Sequence, residues 1–420
     1  MSLIKPFRAL RPAPQRAAEV LAPPYDVLSS AEARAHAKDR PWSFLHVSKA
    51  EIDLDPKINP YDRAVYEKAA ENLQRMVAAG VLLRDERPCY YVYRLTWQNR
   101  GREKIETGLA AVASLSAYAE NRIRKHEHTT PAKEDDRVRQ IEAVNAQTGP
   151  VMLAYPSAPA VDALLEAAAA GGAAIDATAV DGVRHQLWVI DDAQTIAGLT
   201  RAVDALPGLY IADGHHRAAA AFRVAAARGG AASGIAGAGY FIAILLPEKE
   251  MTILDYNRVL RDLNGRSAAE VLTEIGKRCA VDPSDQAVRP TQADEFGMVL
   301  GGRWYRLRLR PADGTQRGDA READPVAQLP VTLLARTIIE PVFGITDPRT
   351  DKRIDFVGGG RGLAPLEQLV ASGEMAAAFA LYPTQMHDLM AVADAGAIMP
   401  PKSTWFEPKL GDGMVSHVLD

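Results

Sequence analysis

Leu209-Tyr-Ile-Ala-Asp-Gly-His-His-Arg217, running on into Ala218-Ala-Ala-Ala-Phe-Arg-Val224, changes character three times in a short span. An apolar stretch predicts a strand, a polar turn follows, and an alanine-rich stretch predicts a helix. Five polar or glycine residues crowd the junction. Asp213 stands where a helix N-cap would, and Gly214 permits close approach of a backbone or a ligand. The N–H groups that open a helix attract anions, and Arg217 adds a planar fork of donors. His215 and His216 supply proton carriers or ligands. A capped helix with two surface histidines is the plain structural account, but a core-building segment does not need so many polar groups.

A second polar cluster precedes it. Lys125-His126-Glu127-His128-Thr129 is followed by Lys133-Glu-Asp-Asp-Arg-Val-Arg139. In an extended stretch His126 and His128 point to one side and Glu127 to the other. The spacing is not that of a helix-borne zinc site. Two uses stay open: His126 and His128 join His215 and His216 around a divalent metal, or Glu127 serves as a general base beside a phosphate. The acidic run to Asp136 also suits an ordinary solvated helix start. Both clusters are expected to line one cleft, because such groups are costly to bury singly.

Working outward, strands and helices mix along the chain, so the expected fold class is α/β of the mixed α+β kind. Residues 1–110 form an N-terminal α+β region with a rigid turn at Pro23-Pro-Tyr-Asp-Val27, a helix over Tyr61–Ala79 and a strand over Cys89–Trp97. Thr107–Leu115 is its expected hairpin partner. Residues 111–247 alternate strands (Val151–Tyr155, His185–Ile190, Leu209–Ala212, Tyr240–Leu246) with helices (Asp136–Ala146, Ala160–Ala170, Asp192–Ala205, Ala218–Arg228). Gly229–Gly239 is expected to be a flexible connection. Residues 248–420 form a C-terminal α+β region. It holds a strand pair at Gly297–Leu300 and Trp304–Leu309, a polar loop over Pro311–Asp324, and helices near Leu333–Val342 and Glu374–Ala380. Its polar landmarks are Tyr256-Asn-Arg-Val259, the charged turn Asp347–Gly360, and Met399-Pro-Pro-Lys-Ser-Thr-Trp-Phe-Glu-Pro-Lys409.

Composition excludes several classes. The 420 residues are 47% hydrophobic and 24% charged, with a formal charge of −4, the balance of a globular protein with a large core. That charge argues against nucleic acid as a partner. The two cysteines, Cys89 and Cys279, form no metal-type spacing and suit a reducing cytoplasm. The first residues lack a signal-type apolar run, and no apolar stretch is long enough to cross a bilayer, so no membrane partner is expected.

The Asp213-Gly-His-His-Arg217 string resembles the signature box of the ParB/sulfiredoxin superfamily, and within it the free serine kinases. Pro6–Pro12, Pro23–Val27, Ser43–Val47, Lys125–Thr129, Tyr210–Arg217, Tyr256–Arg258 and Met399–Thr404 together resemble a bacterial and archaeal family, domain of unknown function family 1015. The resemblance implies a ParB/sulfiredoxin-like nucleotide-binding core at 111–247, with additional N- and C-terminal α+β regions. It implies that Asp213 orients the turn or holds Mg2+, and that Gly214, His215, His216 and Arg217 contact phosphate oxygens of ATP or ADP. The free serine kinases place a glutamate upstream of the box as base. No position here matches it by motif, and Glu127 is chosen on chemistry.

The expected activity is a nucleotide-dependent phosphotransferase acting on a small hydroxylated metabolite such as serine, with Glu127, Asp213 and His216 catalytic. Lys125, His126, His128 and Thr129 join the box in binding nucleotide phosphate. A nucleotide-binding regulator without turnover and a histidine-based metal-dependent hydrolase are the alternatives, and a homo-oligomer stays open.

Overall fold

The computed structural model describes residues 2–229, 239–310 and 324–419. The connection expected over Gly229–Gly239 and the loop expected over Pro311–Asp324 lie almost wholly outside the described residues. The chain forms two compact units, residues 1–251 with 408–420, and residues 252–407.

The first unit is built on a hairpin. Tyr90–Asn99 and Arg102–Ser114 pair antiparallel, with Asn99 opposite Arg102 and Tyr91 opposite Ala110. Arg100 and Gly101, at φ 52° and 76°, form the two-residue turn, and two left-handed residues in succession match the twist of the flanking strands. Arg102–Ser114 also pairs with Tyr240–Pro247 on its other edge and with Ile4–Lys5. It is thus the centre of a nine-stranded mixed sheet. Beyond Tyr90–Asn99 lie Arg184–Ile190 and Ile175–Thr178. Beyond Tyr240–Pro247 lie Val151–Tyr155, Leu209–Asp213 and, at the edge, Ile123–Arg124. Helices Pro159–Ala168 and Ala193–Asp204 contribute Leu165 and Leu199 to a core with Tyr90, Leu109, Leu153 and Phe241. The fold is mixed α+β, as the alternation of elements predicts.

Two helices flank the polar clusters, and each starts earlier than its periodicity predicts. Pro131–Val144 begins at a proline in the first turn, where the missing N–H costs nothing. His215–Ala227 takes the two histidines and Arg217 into its first turn. A four-stranded sheet joins distant parts of the chain. Ser416–Val418 lies between Ala9–Pro12 and Ala146–Gln147, with Leu82–Arg84 outside.

The second unit is a six-stranded antiparallel sheet in the order Cys279–Ser284, Arg303–Leu309, Glu295–Leu300, Ala377–Leu381, Tyr256–Leu260, Ile354–Gly358. Here the helix expected over Glu374–Ala380 is corrected. Ala377–Leu381 is a fully buried strand paired on both sides. Alanine favours a helix locally, but pairing on both edges and burial against Leu366 of the helix Ala364–Ala371 outweigh a propensity worth tenths of a kcal/mol per residue. Among the described residues no helix is long and apolar enough to cross a membrane.

One position tests the central strand. A Cβ on Gly108 would stand 2.6 Å from the Leu245 carbonyl oxygen and 2.8 Å from Leu246 Cδ2, contacts that backbone cannot yield. Gly108→Ala is expected to lower unfolding stability by about 1–3 kcal/mol, the usual cost of overpacking. Urea denaturation checks it, and an unchanged midpoint would contradict the packing described.

Candidate functional site

The topology explains why two clusters far apart in sequence meet. Ile123–Arg124 runs parallel to Leu209–Tyr210, so both strands leave the sheet at the same end. The residues that follow, Lys125–Thr130 and Asp213–Arg217, therefore lie side by side. The His126 N–H donates to Nε2 of His215 at 3.4 Å, and the rings meet edge to face at 4.5 Å between centroids. The Thr130 N–H donates to Nε2 of His216 at 3.2 Å. Glu127 brings Oε2 to 3.6 Å from Nδ1 of His215.

The turn itself needs glycine. Gly214 sits at φ 96° as N-cap, and no side chain caps the helix. A Cβ there would stand 3.3 Å from Val151 Cα and 3.6 Å from Arg217 Nε. Gly149 is a second close wall, its Cβ direction pointing at Arg217 Cδ from 3.2 Å. Between these glycines lies the buried Arg217 guanidinium. Nη1 donates to the Pro150 carbonyl at 2.5 Å. Nη2 reaches Asp26 at 3.3 Å and Asp213 at 3.5 Å. Nε is buried without a hydrogen-bond partner. Burial works against the charge of Arg217, but Asp26 and Asp213 more than offset it and hold the group firmly cationic. Burial also pushes the Asp213 carboxyl up, while Lys409, 3.7 Å away, and then Arg217 pull it well below the usual carboxylate range.

His126 and His215 are neutral. Burial lowers His126 to about 4. Burial first, then the neighbouring His126, lowers His215 well below its ordinary value. Because Nε2 of His215 accepts from a backbone N–H, its proton belongs on Nδ1, the nitrogen that faces Glu127. His215 is therefore a pin between the two segments.

Two cavities adjoin the cluster. A polar one of about 280 Å³ is lined by Asp26, Lys49, Lys133, Arg137, Tyr66 and His216, among others. A smaller one of about 30 Å³ reaches Arg217, Gly149, Thr148 and Asp412. Tyr25, Ser48, Arg137 and Gln140 line both. Arg137 stacks on Tyr25, 3.8 Å from the ring centre, and pairs with Asp136 at 2.6 Å. Asp136 in turn accepts from the Tyr66 hydroxyl at 2.9 Å. Asp412 is 2% exposed. Burial, reinforced by Asp26, pushes its carboxyl up to about 7 against the opposing pull of Arg217.

Not every marked residue joins the cluster. Lys125 holds its ammonium over the Tyr118 ring at 4.4 Å, and the Thr129 hydroxyl donates to Glu134. The paired orientation expected for His126 and His128 is corrected: the strand ends at Arg124, the backbone beyond it is irregular, and His126 is buried while His128 is exposed. The four-histidine metal site is not assembled. Among the described residues no group of three or more His, Cys, Asp and Glu side chains could hold a metal ion.

Other participants were marked in sequence for different reasons, or not at all. Tyr25 and Asp26 stood out as a rigid turn, and Lys409 as the end of a proline-rich segment. Asp412 carried no mark. Its signal is an acidic residue between Gly411 and Gly413 in an otherwise apolar tail, where added Cβ atoms would strike Leu21 and Phe44.

The family of proteins of unknown function (DUF1015) matches residues 4–332, and this chain belongs to it. No curated protein matches the chain. Among solved structures it is similar to a free serine kinase in complex with AMP (11% identity, 71% of this chain and 86% of that chain, TM-score 0.33). It is also similar to SbnI with a C-terminal truncation from Staphylococcus aureus (11%, 73% and 86%, 0.36). A third is a conserved hypothetical protein from Pyrococcus furiosus (11%, 73% and 94%, 0.33). Likeness of that degree carries no argument about activity.

The buried titrations predict a pH signature. Below about pH 6.5 an unfolded chain protonates its histidines. The folded chain resists until about 4 at His126 and at His185, which burial also lowers. The unfolded state then binds more protons, so stability falls as pH falls through that window. Asp412 acts in the opposite sense. Its folded value of about 7 exceeds the unfolded ~3.9, so its contribution to stability is lost as pH rises between the two. Asp412→Asn should therefore stabilise the protein at pH 7.5 by roughly 1–4 kcal/mol, stabilise it only about a third as much at pH 5, where the difference in protonation is nearly lost, and widen the gap between the two. Urea unfolding at both pH values measures this, and equal effects at both would refute the assignment.

Proposed function

We propose that the chain binds ATP or ADP with Mg2+ through Asp213–Arg217 and transfers a phosphoryl group to the hydroxyl of a small metabolite, of which serine is an example. The observation that carries the reading is the polar cavity of about 280 Å³ beside a helix start that no side chain caps. The resemblance of Asp213-Gly-His-His-Arg217 to the free serine kinase box supports it. On this reading residues 111–247 are a ParB/sulfiredoxin-like core, with 1–110 and 248–420 as additional regions.

Each part has a task. The helix dipole and the N–H groups of its first turn favour phosphate oxygens. Arg217 offers Nε, the donor that the protein leaves without an acceptor. Gly214 and Gly149 let the guanidinium pack closely against the chain at the turn. His216, on the cavity wall, lies where phosphate and acceptor substrate would meet. Mg2+ is commonly held by one or two carboxylates together with substrate phosphates. Asp213, 3.5 Å from Nη2 of Arg217, is the carboxylate that would hold it, and the ion would neutralise phosphate charge.

The hydroxyl needs a proton acceptor. Glu127 lines neither cavity, whereas Asp26 lines the larger one and touches Arg217. The base is therefore assigned to Asp26. The hydroxyl oxygen attacks the terminal phosphorus, its proton passes to the Asp26 carboxylate, and the bond to the leaving phosphate breaks. Positioning and charge neutralisation do most of the work in such transfers.

Calorimetry with ATP or ADP and Mg2+, followed by turnover of labelled nucleotide against a panel of hydroxylated metabolites, tests the reading. Asp26→Asn is expected to retain binding and lose roughly 10²–10⁴-fold in turnover, the usual contribution of a positioned base. Glu127→Gln is the comparison: a loss confined to Glu127→Gln would move the base there. Arg217→Ala should weaken nucleotide binding by roughly 1.5–3 kcal/mol. Absence of nucleotide binding by the wild type would refute the proposal, and binding without turnover would point to a regulator.

A further inference from the structure

We propose that Lys409 is a phosphate-binding residue of this site, delivered by the segment Pro408–Leu419. The inference rests on the phosphate reading above and extends it to a part of the chain that the family match, which ends at residue 332, does not cover.

The segment is anchored along its length. Gly411 N–H meets the Tyr93 hydroxyl at 3.4 Å, and that hydroxyl also meets Nδ1 of buried His185 at 2.7 Å. Asp412 and Ala22 exchange backbone hydrogen bonds at 2.9 and 3.2 Å. Ser416–Val418 is an inner strand of the four-stranded sheet, and Leu419 N–H donates to the Asn145 carbonyl. A chain held this way has little freedom to carry its charges elsewhere.

It carries them to the box. Lys409 Nζ stands 3.7 Å from Asp213 Oδ2, on the same carboxylate oxygen that Arg217 Nη2 approaches at 3.5 Å. Both distances exceed the 2.7–2.9 Å of a tight charge-assisted bond. Two cations thus gather around one oxygen at the helix start, each paired with it at a longer distance. A second observation points to a ligand there: Arg217, 9% exposed, has its Nε buried and without an acceptor, packed closely beside Gly149 and Gly214. An incoming phosphate oxygen satisfies Nε and draws the Lys409 ammonium, whose three donors and flexible stem allow contact with Asp213 and phosphate together. With Lys409 drawn to phosphate, Asp213 would be the carboxylate left to hold Mg2+, whose charge would offset that of the phosphate.

The probes are ADP with Mg2+ and inorganic pyrophosphate, titrated into the full chain by calorimetry. Lys409→Gln should weaken both by about 10–100-fold with a melting temperature close to wild type. Lys409→Arg should restore binding to within about threefold, a rescue that a merely structural role would not show. Should Lys409→Gln fail to fold, amine acetylation of the wild type read by mass spectrometry replaces it: ADP should protect Lys409. Lys409→Gln binding as tightly as wild type, or labelling of Lys409 unchanged at saturating ADP, overturns the role of Lys409 and leaves the phosphate reading standing. A wild type that binds neither probe overturns the phosphate reading and this inference with it.

Discussion

The first unit depends on one buried guanidinium. Arg217 ties the Pro150 carbonyl, the Asp26 carboxylate of the N-terminal turn and the Asp213 carboxylate at the end of a central strand. A charge this deep is tolerable when its donors are matched and costly when they are not. The surrounding chain accordingly converges on it. Tyr25 lends a ring face, Gly149 and Gly214 stand aside, and Asp412 approaches from the tail. The guanidinium is at once a structural hub and, through Nε, an incomplete one. That combination distinguishes it from an ordinary core ion pair, whose donors are all matched.

Charge state follows from the same crowding. His126 and His215 stay neutral because burial opposes their charging, and at His215 the neighbouring His126 adds to it. Asp412 keeps its proton to near neutrality because burial and Asp26 outweigh Arg217. The cluster is thus close to electrical balance as it stands. An added anion disturbs that balance in a way the uncapped helix start can meet.

Local signals carried much of this. The hairpin pairing of Cys89–Trp97 with Thr107–Leu115, the strand–turn–helix at 209–227 and the alternation of elements through residues 111–247 were legible because turn chemistry and hydrophobic period act over a few residues. The meeting of Lys125–Thr130 with Asp213–Arg217 was expected from the cost of burying polar groups. Its cause, a two-residue parallel pairing at Ile123–Arg124, is too short to leave a pattern. Ala377–Leu381 was misread because alanine favours helices and only long-range pairing makes that segment a strand. His126 and His128 were misaligned because the strand stops two residues short of them. Asp412 was invisible because nothing local tells a buried aspartate from a turn residue. Arg217 was visible as a donor, but its protein acceptors come from residues 26 and 150, which no spacing rule links to 217.

The tail of the first unit has a consequence for biosynthesis. Residues 252–407 form a separate unit, inserted between the strand Tyr240–Pro247 and the segment that brings in Lys409 and Asp412. A ribosome emits chain in order. The sheet, Arg217 and Asp26 therefore leave the exit tunnel well before the strand Ser416–Val418 that closes the four-stranded sheet. Through that interval Leu10 and Ala146 lack the strand that lies between theirs, and Asp213 has Arg217 without Lys409. A nascent chain, or one ended early by a premature stop anywhere in the second unit, holds most of the fold and an unfinished site. The cluster around Asp213 is complete only once the segment after the second unit has been made.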